Sequence, residues 1–519
     1  MPNRSTDALF QLVHSLEKSE KRNFKLYVQR NSSSEELKVV QLFDALDKMD
    51  DYDENALLKK NPSIKKQQLS NIKAHLYKQI LASLRVLNKE NYIDIELHEQ
   101  MDHARILYNK GLYHQSLKVL DKLKETAGQY HQYSFVLQAL FFEKQIESLH
   151  ITRSMQDRAQ QLAIDTEMIN SKLTLTARLS NLSLLLYSWY INNGHARNEK
   201  DEKNLRDFFA LNYPKEADNA TGFYDKLYKY QCYCWFGFIR HDLLLYYKSC
   251  QKWVNLFEAN PEMLQLETMH FVKGVHNLLT AHVDLKNYQK FTSDLKMFEE
   301  FSESPLVKRN INTTIQVFVY LHIAKINQYF LEGTFTEGLA IVPTIEEKLE
   351  EYRLYLDRHR VLVFYYKIAS LYFGSGDYNT SIDYLNKIIN WKVDLRTDLQ
   401  CYSRLLHLIA HYELKNYDLL EYLFKSVYRF MAKMENLSVT EEEIFKFLRK
   451  SFKLSPSQLK PAFIQLLDKL KKHQHNPYET RAFMYLDVIS WLESKIDNVP
   501  VQTIIRNKYL NDSRNKLKK

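Results

Sequence analysis

Glycine and proline are scarce in this chain of 519 residues, ten of each, about 2% apiece against ordinary frequencies of roughly 7% and 5%. With so few tight turns and loop breakers, a β-rich or doubly wound fold is disfavoured. Cysteine is scarcer still. Cys232, Cys234, Cys250 and Cys401 include one Cys-x-Cys pair but no Cys-x-x-Cys and no matching second pair. That pattern indicates neither a zinc knuckle nor a disulfide framework, and buried reduced thiols are expected. The most apolar stretches, 182–191 and 232–239, fall far short of the ~20 residues that cross a bilayer. The opening residues Met1 to Asp7 lead straight into a charged amphipathic pattern with no apolar signal core, so a cytoplasmic protein without a membrane partner is expected. Enzyme signatures are missing too: there is no Gly-rich phosphate loop, no His-Glu-x-x-His and no Gly-x-Ser-x-Gly. No catalytic residue, cofactor or metal site is therefore assigned, and a non-enzymatic protein is expected.

What the chain does have is an ordinary globular balance, 45% hydrophobic and 26% charged residues, well away from disorder. Its net charge, 72 − 63 = +9, gives only weak general attraction to nucleic acid. Apolar residues recur at three and four positions through segment after segment, as in Leu69, Ile72, Leu76, Ile80, Leu84 and Leu87. This is the stripe of helices that bury one face, so an all-α fold is expected. Pro62 and Ser63 mark the entry to that helix, Ser63 as a candidate cap.

From about residue 95 the breaks between helices look alike. Asn109-Lys110-Gly111-Leu112-Tyr113 precedes Ser116, Leu120 and Leu123; Ser375-Gly376-Asp377-Tyr378 precedes Ser381, Leu385 and Ile388. Related breaks occur at Lys286-Asn287-Tyr288, Glu332-Gly333-Thr334-Phe335 and Lys415-Asn416-Tyr417. Glycine relaxes such a turn, the aromatic plugs the gap between two helices and a small residue lets them approach. The set Tyr365, Ile368, Ala369, Tyr372, Gly376, Tyr378, Ser381, Leu385 and Ile388 resembles a tetratricopeptide repeat. The spacing of the turn aromatics Tyr288, Phe335, Tyr378 and Tyr417 exceeds the standard ~34 residues, as in a long-helix variant. The overall pattern is similar to uncharacterised bacterial TPR-like proteins. The resemblance implies an α-solenoid of stacked antiparallel helix pairs over 95–435; around it, helical patterning and charge point to a small helical domain at 1–90, capping helices at 436–505 and a basic flexible tail at 506–519.

A solenoid of this kind implies a protein- or peptide-binding scaffold, because its first helices line a long concave surface. Counting back from the turns places His276, Thr280, Ile323, Asn327, Tyr366, Ser370, Leu405 and Ile409 there. The alternative is a DNA-binding transcriptional regulator. Residues 53–60, the Asn61-Pro62-Ser63 turn and the long helix that follows have helix-turn-helix spacing. From Lys59 to Lys89 there are eight basic residues and no acidic one. Lys65, Lys66 and Lys73 would then contact phosphates, and Gln67, Gln68 and Asn71 would read bases. Packing as a cap on the solenoid is the competing role for this segment. A second basic region, Lys446 to Lys472, interleaved with Phe445, Phe447 and Phe452, reads as an amphipathic cap before it reads as a nucleic-acid patch. His407 and His411 share a helix face but lack a third ligand, and His270, His276 and His282 point in different directions.

Overall fold

The computed structural model describes residues 7–29, 34–89, 92–150, 157–391, 397–433, 438–451, 454–473, 476, 478–479 and 487–514. Among them the chain is all-helical, without a strand. It divides into two compact units, Met1–Ile169 and Asn170–Lys519. The first holds α1 (Ala8–Ser15), α2 (Lys18–Gln29), α3 (Ser34–Asp47), α4 (Glu54–Lys60), α5 (Lys66–Leu87), α6 (Ile93–Asn109), α7 (Tyr113–Gln129) and α8 (Tyr133–Leu149). Helix α9 (Arg158–Asn193) spans the division. The second continues with α10 (Glu199–Asn212), α11 (Phe223–Ile239), α12 (Leu243–Glu258), α13 (Glu262–Leu266), α14 (Thr268–Asp284), α15 (Tyr288–Ser302), α16 (Pro305–Lys308) and α17 (Ile311–Glu332). Then come α18 (Phe335–Gly338), α19 (Val342–Glu351), α20 (Arg358–Ser375), α21 (Tyr378–Ile389), α22 (Thr397–Glu413) and α23 (Tyr417–Lys433). Four more helices follow among the described residues: α24 (Val439–Ser451), α25 (Pro456–His473), α26 (Val488–Asp497) and α27 (Val501–Asn511). None of the described helices is long and apolar enough to cross a membrane. All four cysteines are buried free thiols.

In the first unit, α1 to α5 share one apolar core that runs from Leu9 to Ile80. The α5 stripe serves it: Leu69, Leu76 and Ile80 are buried, and Ile72 and Leu84 pack at its margin. Ser63 does not cap this helix. Ile64 is drawn into the core, so the chain turns once more, α5 starts at Lys66, and the Ser63 hydroxyl donates to Gln41 Oε1 at 2.9 Å. Helices α6, α7 and α8 pack as successive neighbours.

Seven helix-to-helix turns among the described residues share one geometry. A residue at positive φ (Gly111, His131, His241, Lys286, Gly333, Gly376 or Lys415) ends a helix. The next amide reaches five residues back: Leu112 to Leu107, Gln132 to Ala127, Asp242 to Gly237, Asn287 to His282, Thr334 to Tyr329, Asp377 to Tyr372 and Asn416 to His411, at 2.7–3.1 Å. That bond is the long closure of a Schellman cap, which satisfies a helix-end carbonyl while reversing the chain. The following helix starts one residue later in every case. Two of the pairs repeat a second contact. The Ser116 hydroxyl donates to the Ala104 carbonyl and the Ser381 hydroxyl to the Ala369 carbonyl, each at 2.8 Å and each fully buried.

In the second unit, neighbours in sequence pack together in pairs, α11 with α12, α14 with α15, α20 with α21 and α22 with α23. The helices that precede the turns also meet one another, α14 with α17 and α17 with α20. Helices α26 and α27 then lie along the ends of these helices. Trp491 and Lys495 both donate to Glu413, the last residue of α22, at 2.5 and 2.6 Å. Arg506 donates to the carbonyl of Glu332, which ends α17, at 3.1 Å. Arg514 donates to the carbonyl of Leu285, which follows α14, at 3.2 Å. Cations thus meet the negative ends of helix dipoles. Residues 506–511 therefore belong to a packed helix rather than to a tail, and 515–519 lie outside the described residues.

Gly333 sits at the closest approach of this strap. A Cβ there would meet the Arg506 amide nitrogen and lie 2.8 Å from its Cα and 2.9 Å from the Gln502 carbonyl oxygen, with φ at +68°. Gly333→Ala is expected to cost about 1–3 kcal/mol, read as a lower denaturation midpoint together with faster amide exchange over 501–511.

Candidate partner-binding seam

Helical spacing alone puts Lys273, Asn277, Thr280 and Asp284 on one stripe of α14, and Gln316, Tyr320, Ile323 and Asn327 on one stripe of α17. Arg360 and Lys367, seven residues apart, share a stripe of α20. Because α14 meets α17 and α17 meets α20, these stripes form a half-buried polar seam. At its centre the His276 ring stacks on Tyr320 with centroids 4.1 Å apart and planes 14° apart. The Lys273 ammonium stands 5.3 Å from the Tyr320 ring and 5.8 Å from that of Trp235. Lys273 and Arg360 are the two cations whose charges act on the Tyr320 phenol. Farther along, Lys367 donates to Asn327 Oδ1 at 2.6 Å and lies 5.4 Å from the Phe330 ring.

The electrostatics are those of a positive enclosure. Burial alone would raise the Tyr320 phenol, yet the charges of Lys273 and Arg360 carry it below its ordinary value. Burial first, then Lys273, Lys367 and Arg360, hold His276 well below the usual imidazole range, so it is neutral. Burial raises Asp284 to about 7 against the pull of Lys367, and lowers Lys367 to about 8 against the pull of Asp284. Arg360 is ion-paired with Asp357 at 2.6 Å. Neither Lys273 nor Lys367 has a carboxylate within 4.0 Å among the described residues. Three side-chain atoms on these stripes, Asn277 Nδ2, Asp284 Oδ2 and Gln316 Oε1, are buried without a hydrogen-bond partner.

Of the residues placed on the concave surface by counting from the turns, His276 and Asn327 are in the seam. Thr280 stands on its stripe, and its hydroxyl bonds the His276 carbonyl at 3.0 Å. Tyr366 points into the core, 5% exposed, and Ser370 bonds its carbonyl at 2.9 Å. Ile323, Leu405 and Ile409 are buried among apolar neighbours. Sequence reasoning missed Lys273, Tyr320, Arg360, Lys367 and Asp284, whose only signal was recurrence at helical spacing on the helices before the turns.

Elsewhere, Lys65, Lys66, Gln67, Gln68 and Asn71 are exposed at the start of α5. Lys73 is not available to a phosphate: it is ion-paired with Asp7 and donates to the Tyr52 hydroxyl at 3.0 Å. Helix α4 packs on α3, while α5 packs on α1, α2 and α3. In the second basic region Phe445 and Phe447 are buried. Lys446 and Lys469 pair with Glu443, at 3.1 and 2.7 Å, and Lys471 pairs with Glu493 at 3.1 Å. Phe452 lies outside the described residues. His407 and His411 meet edge to face, 4.5 Å between centroids, and no group of three metal-ligating side chains occurs among the described residues. A wide, open recess of about 790 Å³ lined by Asn198, Glu199, Lys200, Asn476 and Tyr478 shares no residue with the seam.

No family model matches the chain, and no curated protein or solved structure matches it.

The raised Asp284 carboxyl has a stability consequence of definite sign. The folded chain holds this proton to about pH 7, whereas the unfolded chain releases it near its ordinary value. Stability is therefore lost as pH rises through that window. Asp284→Asn is expected to raise the unfolding free energy by about 1–3 kcal/mol at pH 8 and to leave it unchanged near the acid end of the window, measured by urea titration at both pH values.

Proposed function

We propose that this chain is a non-enzymatic scaffold that binds a protein or peptide on the faces of its first helices, and that those helices belong to a TPR-like solenoid. One observation carries the binding role: Lys273, His276, Tyr320, Asn327, Arg360 and Lys367 come from three helices, α14, α17 and α20, and converge in one half-buried seam. A surface assembled from the facing sides of neighbouring helix pairs is what a repeat array offers a ligand. The solenoid reading draws on the seven equal turns, the two Ser-to-Ala contacts and the packing of each helix on its sequence neighbours.

A second reading, DNA binding by the first unit, draws on a separate observation. Lys59, Lys60, Lys65, Lys66 and Lys78 are exposed and without a carboxylate partner among the described residues. Gln67 and Asn71 stand beside Lys65 and Lys66 at the exposed start of a helix, the end that enters a groove in helix-turn-helix proteins. Against it, α4 and α5 pack on α3 more than on each other.

Affinity capture from the native cell with the full chain, with and without nuclease and at two salt concentrations, separates the two readings. The binding role predicts protein partners that survive nuclease, are lost with Thr280→Arg and are kept with Lys65→Glu. DNA binding predicts nucleic acid that is lost with Lys65→Glu and at the higher salt.

A further inference from the structure

We infer that the seam takes an extended acidic segment of a partner protein, with two carboxylates about three residues apart; this rests on the binding role proposed above. Lys273, Arg360 and Lys367 face the seam, opposed by Asp357, which is already paired with Arg360, and by Asp284. The Lys273 ammonium stands over the Tyr320 ring and has no carboxylate within 4.0 Å among the described residues. The balance is positive, and the walls are aromatic stems that exclude water without neutralising charge. An anion entering here would exchange weak partners for charge-assisted hydrogen bonds.

The spacing of the cations selects among anions. Arg360 and Tyr320 form one anchor layer, Lys367 and Asn327 the other, and in each helix the two layers are seven residues apart. At 1.5 Å rise per residue that is about 10 Å. The oxygens of a single phosphate cannot bridge such a gap, whereas an extended chain advancing about 3.3 Å per residue does so in about three residues. Between the layers, Asn277 offers a buried amide nitrogen with no hydrogen-bond partner, on a residue only 6% exposed. It is a donor suited to a backbone carbonyl of the same segment.

A random peptide library displayed on phage and panned against the full chain tests this. The expected result is enrichment of peptides with Asp or Glu about three residues apart. Their synthetic counterparts should bind about tenfold or more weakly to Lys273→Met and Lys367→Met, which keep the side-chain stem and drop the charge. Lys273→Arg should retain binding, and Lys296→Met, on the exposed face of α15, should change nothing. Matching circular dichroism and melting temperatures confirm that each variant is folded. Enriched peptides that are neutral or basic, yet weakened by Thr280→Arg, would overturn the acidic ligand and leave the binding role standing. Peptides indifferent to every seam substitution, or no enrichment at all, would overturn both.

Discussion

A single backbone turn governs this molecule: one residue at positive φ, one amide reaching back five residues, and a new helix one residue later. An α-helix must satisfy its last carbonyls, and here seven helices do so in the same way. Because the count from cap to next helix is constant, the angular phase of each new helix relative to the old one is also constant. The same face is buried each time. In two of these pairs, Ser116 and Ser381 supply a small side chain that bonds a carbonyl of the facing helix. The strap of α26 and α27 depends on the same turns, since its cations seek the carbonyls that those turns leave at helix ends.

The seam is a consequence of that regularity. Lys273 on α14 and Tyr320 on α17 each stand thirteen residues before their turn residues, Lys286 and Gly333, and Arg360 on α20 joins them from sixteen before Gly376, although 47 and 40 residues separate the three in sequence. Enclosure among aromatic rings strengthens each electrostatic interaction by lowering the local polarity. It also makes unpaired groups costly, which is why the Asp284 carboxyl and the Lys367 ammonium are each displaced toward neutrality. A fold selected for stability alone would replace this pair with apolar residues of similar volume.

The helical class was legible from periodicity and from the scarcity of glycine and proline. Five of the seven turns were legible too, because Gly111, Gly333 and Gly376 advertise positive φ, and Asn-Tyr follows Lys286 and Lys415. The turns at His131 and His241 were silent, since an L-residue forced into the left-handed region by its hydrogen bonds leaves no compositional mark. The seam was only partly legible. Counting back from Tyr378 lands on Tyr366, and the groove-facing neighbour is Lys367, one residue out of phase. Arg360 lies too far from the turn for such a count to reach. The strap was illegible, because Arg506 and Glu332 are 174 residues apart and their contact has no local signature. Of the acids that hold the lysines of 446–472, Glu443 precedes the region by three residues and Glu493 follows it by twenty-one, so a reading confined to the region did not see them.

The central claim is that a partner engages the faces of α14, α17 and α20 together. Photo-crosslinking tests it most directly, with a photoreactive residue placed in the full chain at Thr280, at Ser370 or at Lys296 and exposed to the native cell extract. The account predicts one protein partner crosslinked from both Thr280 and Ser370 and none from Lys296. Equal crosslinking from all three positions, or a partner reached from Lys296 alone, would contradict it.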